Sequence, residues 1–467
     1  MPSLSPEILS APRLLLRPGQ VLLPEGFAAD IAVLVENGRF AAAGPATAIL
    51  AANADLVPID LPDHALMPGF IDAHHHLTQA IGKSLAFGEP SEIFRRIWVP
   101  MESHLGGEMA GLSAKLAALE ALRGGFTTVV DAGTRHEGDL DPIAVAVREA
   151  GLRTVLGLIC NDAAGPEPAD PAPILARAER HLARWGQDSL VHPSLAISIP
   201  EVATDAMLHR VASLCAEAGV PFQTHANEHL VAVERSLVAR GLRPVEHLRA
   251  AGALNASALL AHATLVTPRE IGLLRDSGAA VAYCPVASQW KGNAVAPATA
   301  MLEMGVPLAL GTDATRSDAF RLLDAAEASQ RLAYGIPQGD FSCGGGWPWM
   351  VHATAASADT LGLGAVTGRV APGLAADFLL VDLAVPELVP SRDLMWELTR
   401  FGNRDQIEAV FVAGRLRLWH GWPLDWDARA AMREVAARAG AAVAGSPIVK
   451  IHPLSAAHRA AAASGTH

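Results

Sequence analysis

"PGFIDAHHHLTQ", Pro68–Gln79, places three histidines, His74, His75 and His76, directly after a short apolar run. A run of this length, punctuated by Pro and Gly, reads as a buried strand and not as a helix. Side chains along a strand alternate faces, so His74 and His76 share one side and His75 points to the other. Two imidazoles on one side of a strand end are half of a metal site.

Seven further short apolar stretches follow at regular intervals: "TTVVDAG", "RTVLGLIC", "PSLAISI", "PFQTHAN", "ALLAHAT", "AAVAYCP" and "PLALGTD". Amphipathic segments such as "EMAGLSAKLAALEALRGG", "DAMLHRVASLCAEAG" and "DAFRLLDAAEASQRLAYG" lie between them. Eight apolar strands alternating with helices predict a parallel sheet covered on its outer face. The stretch they occupy suits a (β/α)8 TIM barrel of roughly 250 residues plus loops. A doubly wound open sheet is the competing topology, but it wants a Gly-rich turn after its first strand, and "DAHHHLTQ" is not one. The flanks have a different rhythm. "IAVLVENGRFAAAG" is a hairpin signal around Asn37-Gly38, a dipeptide suited to the positive φ angles of a tight turn. Strand-like runs return near the other end in "ADFLLVDLAVPEL" and "IEAVFVAGRLRLW", the latter turning at Ala413-Gly414. "WDARAAMREVAARAGAAVAG" reads as a helix, and "SAAHRAAAASGTH" as a loose end.

The bulk numbers exclude some partners. Of 467 residues, 51% are hydrophobic and 18% charged, so a large core is expected and wholesale disorder is not. A net charge of −12 without a basic block argues against nucleic acid or an anionic membrane. Cys160, Cys215, Cys284 and Cys343 are scattered and read as reduced thiols. Neither a secretory leader nor an apolar run of about 18 residues is recognised, so a cytoplasmic protein is expected.

In a barrel the C-terminal strand ends form the active face. Strand one ends in the three histidines, strand five in His225 with Glu228 three residues on, strand six in His262, and strand eight in Asp313. Singly, a His or Asp beside an apolar strand is more often a hydrogen-bonded structural residue than a ligand. Jointly, His74, His76, His225 and Asp313 supply three imidazoles and a carboxylate, a set suited to one divalent ion, Zn²⁺ first and Fe²⁺ second. His75 is expected behind them, in a structural role.

"PGFIDAHHHL", "THANE", "LLAHATLV", "LALGTDA" and "GRVAPGLAADFLLVDL" occur in the order found in the amidohydrolase superfamily. The chain resembles its deaminase and chlorohydrolase branch, which includes guanine, 8-oxoguanine, cytosine and pterin deaminases and s-triazine hydrolases. The resemblance runs from the first β flank to the last. It implies that residues 1–66 and 366–467 form a composite β-sandwich domain with a C-terminal helix, beside a catalytic barrel at 67–365. It also implies His74, His76, His225 and Asp313 as metal ligands, Glu228 as the H-x-x-E acid, and His262 as the strand-six histidine. "HHHLTQ" is closest to the 8-oxoguanine deaminase and triazine-hydrolase variants, which places Gln79 over the substrate. Trp98, in the following loop, is a candidate stacking residue or an ordinary packing one. Two segments depart from the pattern: "CPVASQWKG" lacks the usual Ser-Asn after Cys-Pro, and "DATRSDAFR" matches no specific substrate. They leave the substrate open, not the reaction class.

The reaction so implied is hydrolytic removal of an amino or other leaving group from an N-heteroaromatic ring. The ion makes water nucleophilic near neutral pH. Asp313 serves as base, Glu228, expected to be protonated, donates to the ring nitrogen, and His262 stabilises developing charge. None of Lys83, Lys115, Lys291 and Lys450 lies on strand four, where binuclear members carry a bridging group, so one metal is expected. A binuclear cyclic amidase and a non-catalytic scaffold on the same fold are the alternatives. The partner expected is a small N-heterocycle, and the chain is expected to be a homo-oligomer, dimer or larger.

Overall fold

The apolar stretches become strands because each is bounded by turn residues and too short for a stable helix, and the first three carry the Val, Ile and Phe that favour a pleated surface. The computed structural model describes residues 4–86, 88–89, 92–186, 188–291, 293–339 and 347–450. Eight strands run Phe70–His75, Phe126–Asp131, Arg153–Ile159, Val191–Ala196, Phe222–Ala226, Ala258–His262, Ala280–Tyr283 and Leu308–Leu310. They pair in chain order, all parallel, and each overlaps a stretch read from the sequence.

The eighth strand meets the first. The Asp313 N–H donates to the His74 carbonyl at 2.8 Å. Asp72 accepts the Thr312 N–H at 2.8 Å and also its hydroxyl. Ile71, Ala73, Val130, Val155, Leu259, Ala282 and Ala309 pack inside the ring of strands. The small alanines allow the strands to close tightly, as a filled barrel requires. A larger apolar layer joins the strands to helices such as Gly107–Arg123, Asp205–Ala218 and Ala319–Gln330.

Strands from both chain ends build one mixed nine-stranded sheet beside the barrel. The segment Phe378–Asp382 pairs antiparallel with Ile59–Pro68, which leads straight into the first barrel strand. Phe40 on Arg39–Pro45 and Phe378 have ring centroids 5.8 Å apart, although three strands separate theirs in the sheet order. A flat sheet would hold them about 19 Å apart, at about 4.8 Å per strand. The sheet therefore curls over a core of its own, which gives the small domain its sandwich character. The hairpin turn is where it was expected, with Asn37 at φ 52° and Gly38 at φ 77°.

Arg153, at the start of the third barrel strand, joins the two units. Its guanidinium grips Asp377 at 2.8 and 3.1 Å, with both side chains buried. No helix among the described residues is long and apolar enough to cross a membrane. Cys160, Cys215 and Cys284 are free and buried. Cys343 and the segment 455–467 lie outside the described residues.

Candidate active site

The chain turns sharply where the barrel strands end. His262 and Asp313 have left-handed backbones, at φ 71° and 54°. Such angles are uncommon for residues other than Gly and persist only where the surroundings hold them. At Asp313 the bond to the His74 carbonyl does so. His76 opens the turn Leu77–Gln79, which Asp131 fixes from the end of strand two by accepting the Leu77 N–H at 2.9 Å and the Gly133 N–H at 3.1 Å.

These turns bring His74, His76, His225 and Asp313 together, with one ligand-capable atom of each within 4.8 Å of all the others. Asp313 Oδ1 lies 3.3 Å from His74 Nε2 and 3.2 Å from His76 Nε2. The Nε2 atoms of His76 and His225 are 3.4 Å apart. The His225 Nδ1–H donates to the Ser198 carbonyl at 2.7 Å, which turns the Nε2 lone pair into the cluster. Burial holds both His74 and His225 below the ordinary imidazole range, so both are neutral at physiological pH. His74 Nε2 has no hydrogen-bond partner among the described residues. Lone pairs facing one another and a carboxylate are unfavourable until a cation is shared. A tetrahedron whose vertices lie about 2.05 Å from its centre has edges of about 3.3 Å, so the three close separations fit a zinc-sized ion. His75 is apart from the cluster, with Nε2 3.2 Å from Ser317 Oγ.

A second group lies against the first. Glu228 Oε1 is 3.6 Å from His262 Nε2 and 3.2 Å from His229 Nε2. Lys291, closing the helix Pro285–Lys291 after strand seven, places Nζ 3.2 Å from the same oxygen and on Asp313 Oδ2. Asn293 donates to Glu228 Oε1 at 3.1 Å. Glu228 departs from the expectation that it is protonated. Burial alone would raise its pKa, but the neighbouring His262, Lys291 and His229 reverse that, and with His262 itself neutral it is the Lys291 ammonium whose charge holds the carboxyl well below the usual range. It is ionised in the free protein. Nor does it cap a helix: the next one, Leu230–Arg240, has His229 at its N-cap, and the Glu228 carboxylate faces side chains instead. His262 is fully buried and pushed down to about 3, chiefly by that burial, so it is neutral.

The amidohydrolase family profile matches residues 65–417, which spans the barrel and the strands Phe378–Asp382 and Ile407–Val412 of the flanking sheet. The chain belongs to the amidohydrolase family. That makes it an enzyme, a hydrolase acting on carbon–nitrogen bonds. It is 31% identical over 414 residues to a 5-methylthioadenosine/S-adenosylhomocysteine deaminase of Moorella thermoacetica, covering 87% of this chain and 94% of that one. A zinc-bound adenosine deaminase from Xanthomonas campestris superposes with a TM-score of 0.83 at 27% identity, covering 92% and 98% of the two chains. An atrazine chlorohydrolase from Arthrobacter aurescens, complexed with zinc and atraton, shares the fold at TM-score 0.79 and 20% identity, covering 92% and 100%.

In this amidohydrolase three groups of the cluster, His76, His225 and Asp313, line a cleft together with Glu228 and Lys291. Gln79 and Trp98 both line it, beside Ile93, Phe94 and Ile199. Phe87, in the same loop, lies outside the described residues. Lys291 and Asn293 were missed as site residues. Lys291 entered the sequence reading only as a lysine absent from strand four. Its one signal was position: it stands in "CPVASQWKG", where the chain departs from the family pattern.

Proposed function

We propose that this chain is a metal-dependent deaminase that hydrolyses an exocyclic amino group from an N-heteroaromatic ring, with an aminopurine as its substrate. The observation that carries the reading is the gathering of His74, His76, His225 and Asp313 beside the Glu228–His262 pair, with His76, His225, Glu228 and Asp313 facing one cleft. The aminopurine assignment draws on the named activities of the Moorella and Xanthomonas proteins.

His74, His76, His225 and Asp313 would hold one divalent ion, zinc first. When bound, the ion supplies Lewis acidity that makes water acidic enough to attack near neutral pH. Every contact of the Glu228 carboxylate among the described residues goes to Oε1, which leaves Oε2 for a ligand. Because Glu228 starts ionised, it takes a proton from the attacking water before handing one to the ring nitrogen. Protonating that nitrogen makes the neighbouring carbon electrophilic. The adduct's hydroxyl then gives its remaining proton to Glu228, which is ionised again at that point, and Glu228 passes it to the departing amine, so that the carbonyl forms as the C–N bond breaks and ammonia leaves. His262, neutral and without hydrogen-bond partners of its own among the described residues, is free to donate to charge that develops on the attacking oxygen. Trp98 and Phe94 offer aromatic wall to a flat ring, and Gln79 offers an amide to its edge.

A panel of aminated purines, pterins, pyrimidines and s-triazines, scored for ammonia release by zinc-loaded protein, tests the reading. Release from an aminopurine is expected. Silence across the panel would count against deamination, and ring opening without ammonia would favour the cyclic amidase.

A further inference from the structure

Two overlapping sets of ligand-capable groups share Asp313. Beside the set already described, Glu228, His262 and Asp313 also bring such atoms within 4.8 Å of one another. Asp313 divides its oxygens between them: Oδ1 faces His74 and His76, and Oδ2 faces Lys291. His262 is 0% exposed, and neither of its ring nitrogens has a hydrogen-bond partner among the described residues. A buried imidazole left unpartnered is costly unless something is there to use it. Lys291 Nζ, meanwhile, lies on Asp313 Oδ2 and 3.2 Å from Glu228 Oε1, the two carboxylates of this second set.

The geometry points to Lys291 as the resident cation of a second metal position made by Glu228, His262 and Asp313, so that removing its charge opens that position to a divalent ion. The inference rests on reading His74, His76, His225 and Asp313 as the first metal centre. A carboxylate spanning two ions is the ordinary bridge of a two-metal site. Here one end of the bridge is given to an ammonium. A buried ammonium beside a dication is poorly screened and strongly repels it. Its placement is enforced, because the adjacent Trp290 packs against the cluster of Ile93, Ile97, Trp98 and Met101. The consequence for catalysis is direct. With Lys291 in place, Glu228 and His262 keep their lone pairs for moving protons. With a second ion in place, both would be tied up as ligands.

The test is metal counting on the intact protein. Wild type, Lys291→Met, Lys291→Arg and the double variant Lys291→Met/His262→Ala are stripped with chelator, equilibrated with excess zinc, desalted and analysed for zinc per folded chain. Wild type and Lys291→Arg should hold one equivalent and Lys291→Met two, and the double variant should return to one. The ammonia-releasing activity of Lys291→Met should fall as zinc rises from one to two equivalents, while wild type stays flat. Should Lys291→Met not fold, Lys291→Gln removes the same charge and is read in the same way. One equivalent in both wild type and the charge-removed variant overturns this inference and leaves the first metal centre standing. Two in wild type overturns it as well, because the lysine would then exclude nothing. None in folded wild type overturns the metal centre itself, and this inference with it.

Discussion

Replacing Glu228 by Gln separates its proton-carrying role from its place in the structure. The carboxylate oxygen Oε1 receives Lys291 at 3.2 Å and Asn293 at 3.1 Å. An amide oxygen can accept from both, so the side chain should stay where it is. Glu228 is not one of the four groups around the first cluster, so zinc should remain at one equivalent. What disappears is the ability to take a proton from water and pass it on. A positioned general acid–base group contributes about 10²–10⁴-fold, or about 2.7–5.4 kcal/mol at about 1.36 kcal/mol per tenfold. Steady-state ammonia release should therefore show kcat down by that factor with KM little changed, as expected when an interaction of the transition state alone is lost. A chloro analogue of the substrate should recover part of the loss, because chloride departs without a proton. Turnover near wild type in zinc-loaded Glu228→Gln would refute the reasoning.

The other predictions concern the first cluster and the fold. His74→Ala and His76→Ala should each lose zinc and activity together, whereas His75→Ala should keep zinc with at most about a 10–100-fold loss. Metal analysis giving the reverse order would show that the strand register is wrong. A Cβ added at Gly311 would meet the His74 Cβ at 2.8 Å and the His74 backbone nitrogen at 3.0 Å. Gly311→Ala should accordingly displace His74 and weaken zinc affinity by about 10–100-fold, measured by competition with a chromophoric chelator. Unchanged affinity would contradict it. Burial holds His181 and His192 neutral in the fold, each down to about 4, against about 6.5 in an unfolded chain. Between those values the unfolded state binds more protons. The stability is therefore fully present above about pH 6.5 and is lost as pH falls toward about 4. Thermal melts across that window should show Tm falling with pH, less steeply in His181→Gln, and a wild-type Tm flat across the window would contradict the assignment.

The barrel was legible because its period is written locally. "TTVVDAG" and "RTVLGLIC" are strands by length and branching alone, and the polar residue that ends each run marks the active face. The alternation rule likewise separates His75, near Ser317, from His74 and His76 in the cluster. Lys291 was not legible, because its position depends on the fold: a short helix after strand seven, anchored through Trp290, carries it back over Asp313. The ionised state of Glu228 was missed for the same reason, since it is set by a neighbour 63 positions away in the chain. The curl of the small sheet was equally invisible, because the Phe40–Phe378 contact joins the two ends of the molecule.

The zinc-edge anomalous signal from crystals of zinc-loaded protein tests the central claim most directly. A single strong peak is predicted among His74 Nε2, His76 Nε2, His225 Nε2 and Asp313 Oδ1, at about 2.0–2.2 Å from each. No peak there, or a peak held by His75 in place of His74 or His76, would contradict the account.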